Sequence, residues 1–311
     1  MINKFLSFYT RFFTLWVIIF AVIAYFLPAP FIYLREYMDF FFALTMFGIG
    51  AVLEPADFRR ILKTPFIIFV GSVAQFTIMP FGAFAVSKLL SLPKELALGL
   101  ILTGCAPGAM SSNVISYIAK ADTAYSVSLT TVSTILAPLL TPALTYLFAN
   151  SILKVSFSAI FLSVVKIVVL PLALGFLLRF VFKDKINKFI KVFPAISVTF
   201  IIFICCVVIA LNRNYFVMLT VTVVFAALFL NLLGMSLGYT VGKIFRMNTS
   251  RCRTLSIEIG MQNAGLGTVL ALKHFGEKCA IPAAIYVFLC IITASIIAQI
   301  WKNSKSQNIN D

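Results

Sequence analysis

Glu258-Ile259-Gly260-Met261-Gln262-Asn263-Ala264-Gly265 is the stretch on which the fold turns. It lies inside an otherwise apolar run, residues 254–273, and sets a carboxylate, two amides and two glycines in its middle. A charged side chain in bilayer hydrocarbon costs several kcal/mol unless it is paired or hydrated, so it marks a functional site by default. Irregular backbone is tolerated at that depth only where it lines a protein-buried or watery cavity. The stretch therefore predicts an interrupted helix inside a membrane protein. The competing reading is a protonated acid near the interface, helped by Arg251 and Arg253.

Composition makes the membrane unavoidable. Of 311 residues, 61% are hydrophobic and 11% charged, whereas a soluble domain is about half apolar and a quarter charged. The lipid bilayer is thus the first partner. Apolar segments run over 12–30, 38–53, 65–90, 95–119, 122–149, 155–181, 189–211, 215–242, 254–273 and 280–301. A spanning helix needs about 20 apolar residues, so these read as ten spans of an all-α polytopic protein. The run after Lys4 and Arg11 lacks a small-residue cleavage site and reads as the first span rather than a signal peptide.

The formal charge of +15 does not indicate nucleic acid, because the basic residues sit in the connections. With ten spans both termini share a side. That side carries 17 Lys and Arg, including Lys4, Arg11, Arg179, Lys183, Lys185, Lys188 and Lys191; the other carries 7, and Lys166 alone sits mid-segment. The excess predicts cytoplasmic termini and a multi-pass protein of the bacterial inner (cell) membrane. The six cysteines have neither metal-ligand nor disulfide spacing and read as small buried hydrophobes. No required protein partner is indicated.

A second interruption stands 150 residues earlier, in Gly108-Ala109-Met110-Ser111-Ser112-Asn113. Ser112-Asn113 and Gln262-Asn263 each fall in the fourth span of a five-span half. Five is odd, so the halves enter the membrane from opposite sides. This predicts two inverted repeats, 1–150 and 151–303, followed by a cytoplasmic tail, 304–311.

Nine of the ten acids lie at or near segment ends; Glu258 alone sits a turn inside a span. Ser126 and Thr130 share a face of the fifth span, with Ser133 and Thr134 roughly along it, although hydroxyls that bond back to their own helix are common. Gln75, a mid-span amide in the third span, needs partners. The inventory is hydroxyl, amide, backbone carbonyl and one carboxylate, which favours a hard cation. One carboxylate suits a monovalent ion better than Ca2+ or Mg2+. Na+ is the reading, with H+ through Glu258 as the competitor.

Phe47-Gly48-Ile49-Gly50, Ala74-Gln75-Phe76, Ser112-Asn113-Val114 and Glu258-Ile259-Gly260-Met261-Gln262-Asn263 resemble the bile acid:sodium symporter family over residues 10–300. The acidic-Gly-Met-Gln-Asn block is the specific part. The resemblance implies a panel domain (spans 1, 2, 6 and 7), a core domain (spans 3–5 and 8–10), and two crossing broken helices, spans 4 and 9. It implies two Na+ sites. The first would use Ser112, Asn113, Ser126, Thr130 and Glu258. The second would use Gln75 and Gln262 with backbone oxygens near Glu258, Ile259 and Met261. Met110, Asn263, Ala264 and Cys290 would flank the substrate cavity. The chain departs from bacterial relatives in lacking His-Asn pairs: Leu289-Cys290 stands in the last span and Leu230-Asn231 in the eighth.

Together these readings predict sodium-coupled symport of an organic anion, bile-acid-like or a small carboxylate, by alternating access. Two alternatives are a proton-coupled or uncoupled carrier or efflux protein of the same fold, for which Cys105 is the one suitably placed thiol, and an intramembrane enzyme. Against the last, the chain has no paired-acid motif, no Ser/His combination and no metal triad, and its single His, His274, falls at a predicted loop.

Overall fold

The computed structural model describes residues 13–182 and 192–307. Lys4, Arg11, the basic residues Lys183, Lys185, Lys188 and Lys191, and residues 308–311 of the expected tail lie outside the described residues. All regular structure among the described residues is helical. The order is α1 (Phe13–Phe26), α2 (Ala29–Tyr33), a 3-10 turn, α3 (Met38–Val52), α4 (Pro55–Lys63), α5 (Pro65–Leu89), α6 (Lys94–Gly104), α7 (Ser111–Ile118) and α8 (Thr123–Ala149). Then follow α9 (Phe157–Val164), a π-turn (Val165–Val169), α10 (Leu170–Phe182), α11 (Phe193–Ile244), α12 (Thr249–Gly260), α13 (Ala264–His274) and α14 (Glu277–Gln307).

Among the described residues, five stretches are long and apolar enough to cross a bilayer as single helices: Pro65–Leu89, Thr123–Ala149, Phe157–Phe182, Val221–Ile244 and Glu277–Asn303. These correspond to the expected third, fifth, sixth, eighth and tenth spans. A bent pair, Ile18–Phe26 and Ala29–Val52, meets at 94° across Leu27-Pro28. The expected fourth and ninth segments each divide into two short helices, α6 with α7 and α12 with α13.

One boundary is corrected. The seventh and eighth spans were expected to part at Asn212-Arg213-Asn214, but helix α11 runs through that point from Phe193 to Ile244. No Gly or Pro occurs between Pro194 and Gly234. Polar side chains alone do not stop a helix; loss of a backbone donor or a strained φ does. The 52 residues of α11 contain two apolar stretches, Thr199–Arg213 and Val221–Ile244, at the places of the seventh and eighth expected spans. Helix α14 likewise continues to Gln307, so the expected tail begins as helix.

Small residues set the packing, as membranes favour. A Cβ on Gly50 would stand 2.1 Å from Leu172 O and one on Gly175 2.0 Å from Phe47 O, so the backbones of α3 and α10 touch. Gly234, Gly238 and Gly242, one per turn of α11, admit α12 in the same way. The short helices are enclosed: residues 96–104 of α6, 252–260 of α12 and 264–272 of α13 are all buried. Large apolar side chains cover the outward faces of the long helices, among them Phe66, Phe69, Phe81, Leu147, Leu174, Phe225 and Ile296. Lipid can cover such a surface; water cannot. The irregular backbone is therefore shielded inside protein, as the bilayer demands.

Ion pairs among the described residues mark the two ends of the bundle. Arg35–Glu277 (2.8 Å) and Lys273–Asp39 lie among residues expected on one side. Arg179–Glu54 (2.9 Å) and Arg251–Asp122 (3.2 Å) lie among those expected on the other.

Candidate ion-binding site

The two interruptions are built by local chemistry. Helix α6 stops at Gly104, just ahead of Pro107, which can neither donate to the helix nor follow a helical residue comfortably. Helix α12 stops at Gly260, after which Met261 is extended. Asn263 then caps α13 through its side-chain oxygen, which accepts from Leu266 N at 3.2 Å.

The breaks pair with each other. Ala109 N donates to Met261 O (2.9 Å) and Asn263 N to Pro107 O (2.8 Å), which makes an antiparallel bridge at Gly108 and Gln262. Backbone groups that each break strands are thus satisfied by the other. Ser133 Oγ accepts from Gly108 N at 3.3 Å and Thr141 Oγ1 donates to Cys105 O at 2.8 Å, so α8 secures the first break. Gly260 O accepts from Asn231 Nδ2 (2.7 Å) and Tyr286 Oη (2.9 Å), which secures the second.

Glu258 is buried beside this bridge. Ser112 Oγ donates to its Oε2 at 2.6 Å, Ser126 Oγ reaches the same oxygen at 2.8 Å, and Thr130 Oγ1 hydrogen-bonds Oε1. Asn113 Oδ1 stands 2.8 Å from Ser126 Oγ and 3.3 Å from Thr130 Oγ1. Five side chains from α7, α8 and α12 therefore bring six oxygens together with three hydroxyl protons among them. Such a cluster has lone pairs to spare, which is what a bound cation needs. Of the two bases expected to help an interfacial acid, Arg251 pairs with Asp122 at 3.2 Å and Arg253 lies over the Trp301 ring.

Gln75 and Gln262 also meet. Gln75 Nε2 donates to Gln262 Oε1 (2.9 Å), and Gln262 Nε2 donates to Ile259 O (2.8 Å). Gln75 Oε1 is buried without a hydrogen-bond partner among the described residues. An orphaned amide oxygen is costly and fits a second cation. Met261 O is committed to Ala109, so of the expected carbonyls it is the one tied into the bridge.

The expected substrate residues are more dispersed. Met110 and Asn263 are half-buried at the starts of α7 and α13. With one lone pair of the Asn263 oxygen used as cap, its amide NH2 and the second lone pair are left for a ligand. Ala264 is buried. Cys290 is buried on α14 and its thiol turns back to Val287 O at 3.4 Å. Thr134 bonds its own helix at Thr130 O (2.7 Å), the bland role expected of such hydroxyls.

Three supporting residues escape a reading by residue type: Gly108, Asn231 and Tyr286. A Cβ on Gly108 would stand 2.8 Å from Glu258 Oε1, so a side chain there would have to displace the carboxylate from its hydroxyl partners. Asn231 and Tyr286 look like ordinary mid-span polar residues until Gly260 O is placed between them.

The model of the sodium bile acid symporter family matches residues 40–219. The chain is also 36% identical to the Bacillus subtilis protein named uncharacterized sodium-dependent transporter YocS, over 99% of each chain. The chain belongs to the sodium bile acid symporter family. The same kinship extends to plants. Identity is 38% with the probable sodium/metabolite cotransporter BASS1 of Arabidopsis thaliana, over 86% of this chain and 67% of that one. It is 34% with the rice protein named probable sodium/metabolite cotransporter BASS2, over 97% and 72%. As a member of the sodium bile acid symporter family, the chain is a multi-pass membrane transporter and not an enzyme.

Proposed function

We propose that the chain is a sodium-coupled symporter that carries an organic anion into the cell by alternating access. The observation that carries this reading is the meeting of Glu258 with Ser112, Ser126 and Thr130, an oxygen-rich and proton-poor cluster buried beside paired helix breaks. The names of YocS and the BASS proteins, which specify sodium, support the choice of ion.

Two Na+ are transported, one at the Glu258 cluster with Asn113 and one between Gln75 and Gln262. Burial with no ion pair among the described residues leaves the carboxylate to be compensated by the ion. A cation there draws α7, α8 and α12 into one arrangement, and a cation at Gln75 does the same for α5 and the α12–α13 break. The substrate anion lies near Met110 and Asn263, where helix N-termini favour negative charge. Each Na+ entering down 100 mV supplies about 2.3 kcal/mol before the concentration term. Two Na+ with a monoanion make transport electrogenic.

The movement follows the division into panel and core. Arg35–Glu277, Lys273–Asp39 and the Ser163–His274 hydrogen bond (2.9 Å) all cross from panel to core elements at one end of the bundle. At the other end, Arg179–Glu54 stays within the panel and Arg251–Asp122 within the core. This asymmetry supports a structure closed on the first side. That these four ion pairs join residues assigned to a common side supports the ten-span inverted-repeat topology with cytoplasmic termini.

The deciding experiment is uptake of a small carboxylate or sterol acid into proteoliposomes, with Na+ replaced by K+ or choline at fixed pH. Loss of uptake is expected. Undiminished uptake would sink sodium coupling.

A further inference from the structure

A cavity of about 190 Å³ opens where α5, α8 and α12, which between them bear Gln75, Ser126, Thr130 and Glu258, converge. Lys63 and Thr64 lead into α5, which bears Gln75. Asp122, Tyr125 and Ser128 open α8, which bears Ser126 and Thr130. Arg251 lies in the first turn of α12, which bears Glu258. Lys63 is exposed, with no hydrogen bond or ion pair among the described residues. Arg251 Nε meets Asp122 at 3.2 Å. Two bases against one acid leave the cavity cationic, and the hydroxyls of Thr64 and Ser128 add donors.

Exposed apolar side chains adjoin the lining residues in the chain: Leu62 precedes Lys63, Phe66 follows Thr64 by two residues, and the exposed Phe245 ring stands 6.1 Å from that of Phe66. A soluble anion has no use for such neighbours. A phospholipid matches both halves, with its phosphate on the bases and an acyl chain along the rings.

We propose that this cavity binds the phosphate of an anionic phospholipid, held by Lys63 and Arg251. The site braces the foot of the ion cluster. Tyr125 Oη donates to Ile67 O (3.0 Å), which ties α8 to α5. Asp122 N donates to Thr254 Oγ1 (2.9 Å) and Thr254 Oγ1 reaches Asp122 O (3.0 Å), which ties α8 to α12. Ser126 lies one turn beyond Asp122, and Glu258 one turn beyond Thr254. The proposal needs the chain to be embedded in a membrane and is independent of sodium coupling.

Native mass spectrometry of the full-length protein from nanodiscs mixing phosphatidylglycerol with phosphatidylcholine tests it. Wild type is expected to retain phosphatidylglycerol preferentially. Lys63→Gln should lower that preference about fivefold, the worth of one base near a membrane surface. Lys63→Arg should restore it, and Lys154→Gln, an exposed base expected at the opposite face, should leave it unchanged. Equal retention by wild type and Lys63→Gln, or an equal fall in Lys154→Gln, overturns the proposal. So does inorganic phosphate that binds solubilised wild type through Lys63 while phosphatidylglycerol shows no preference, because the occupant is then a soluble anion.

Discussion

Ser112 Oγ donates to Glu258 Oε2 at 2.6 Å across 146 residues of chain. The first helix break and the last acid inside a span are thereby one site. Removing the charge while keeping the shape isolates its role. In Glu258→Gln, stabilisation of the purified protein by Na+ is expected to disappear. Wild type at a hundred times its Kd gains about 2.7 kcal/mol from a ligand of the folded state, visible as a rise in melting temperature that the variant lacks.

Gly108 tests the geometry rather than the charge. A methyl group there would stand 2.8 Å from Glu258 Oε1. Gly108→Ala should cost about 1–3 kcal/mol, as overpacking does, and should lower Na+-dependent uptake much more than it lowers the melting temperature. Uptake and melting measured on the same preparation distinguish the two.

Gln75 Oε1 is the orphan of the second cluster. Gln75→Leu removes the orphaned oxygen but also the donor to Gln262 Oε1, so stability without Na+ should fall by no more than about 1–3 kcal/mol, the cost of one buried acceptor left unpaired. The dependence of uptake on Na+ concentration should change from sigmoidal to hyperbolic, which a Na+ titration of initial rates reads directly.

His274 is held below its ordinary pKa, first by burial and then by the neighbouring Lys273 charge, with Asp39 opposing. A depressed histidine resists protonation when folded and accepts it when unfolded. Its contribution to stability is therefore intact above the ordinary histidine range and declines as pH falls through it, about 6.5. Melting temperature should drop between neutral pH and mildly acidic pH, and His274→Gln should flatten that part of the profile.

The exposed pair Lys273–Asp39 contributes little to stability by itself, about 0–1 kcal/mol. Its charge should instead govern opening. Lys273→Asp should slow uptake or alter cysteine accessibility at that end, and adding Asp39→Lys should restore the wild-type value. A double variant no better than the single one would separate the pair from the movement.

Much of this architecture is legible along the chain. The apolar segments locate the long spans at 65–89, 123–149, 157–182 and 277–303 to within a few residues, because span length is set by bilayer thickness. The breaks at Pro107 and Gly260 are legible because Pro, Gly and a capping Asn act locally. The join at 212–214 misleads for the opposite reason: polarity suggests an end, but nothing there prevents the helix from continuing. Ser112, Asn113, Ser126 and Thr130 could be set beside Glu258 only through family resemblance, since no periodicity relates residues so far apart.

The sequence by itself determined that this chain lives in lipid, where its polar interruptions fall, and that one carboxylate is out of place. Those are consequences of transfer free energy and local backbone chemistry, which act residue by residue. The tertiary structure alone decided that the two breaks hydrogen-bond to each other, that Gly108 makes room for Glu258, and that Gln75 keeps an oxygen without a partner among the described residues. Those relations depend on how distant backbones cross, and a crossing is fixed by packing many side chains at once.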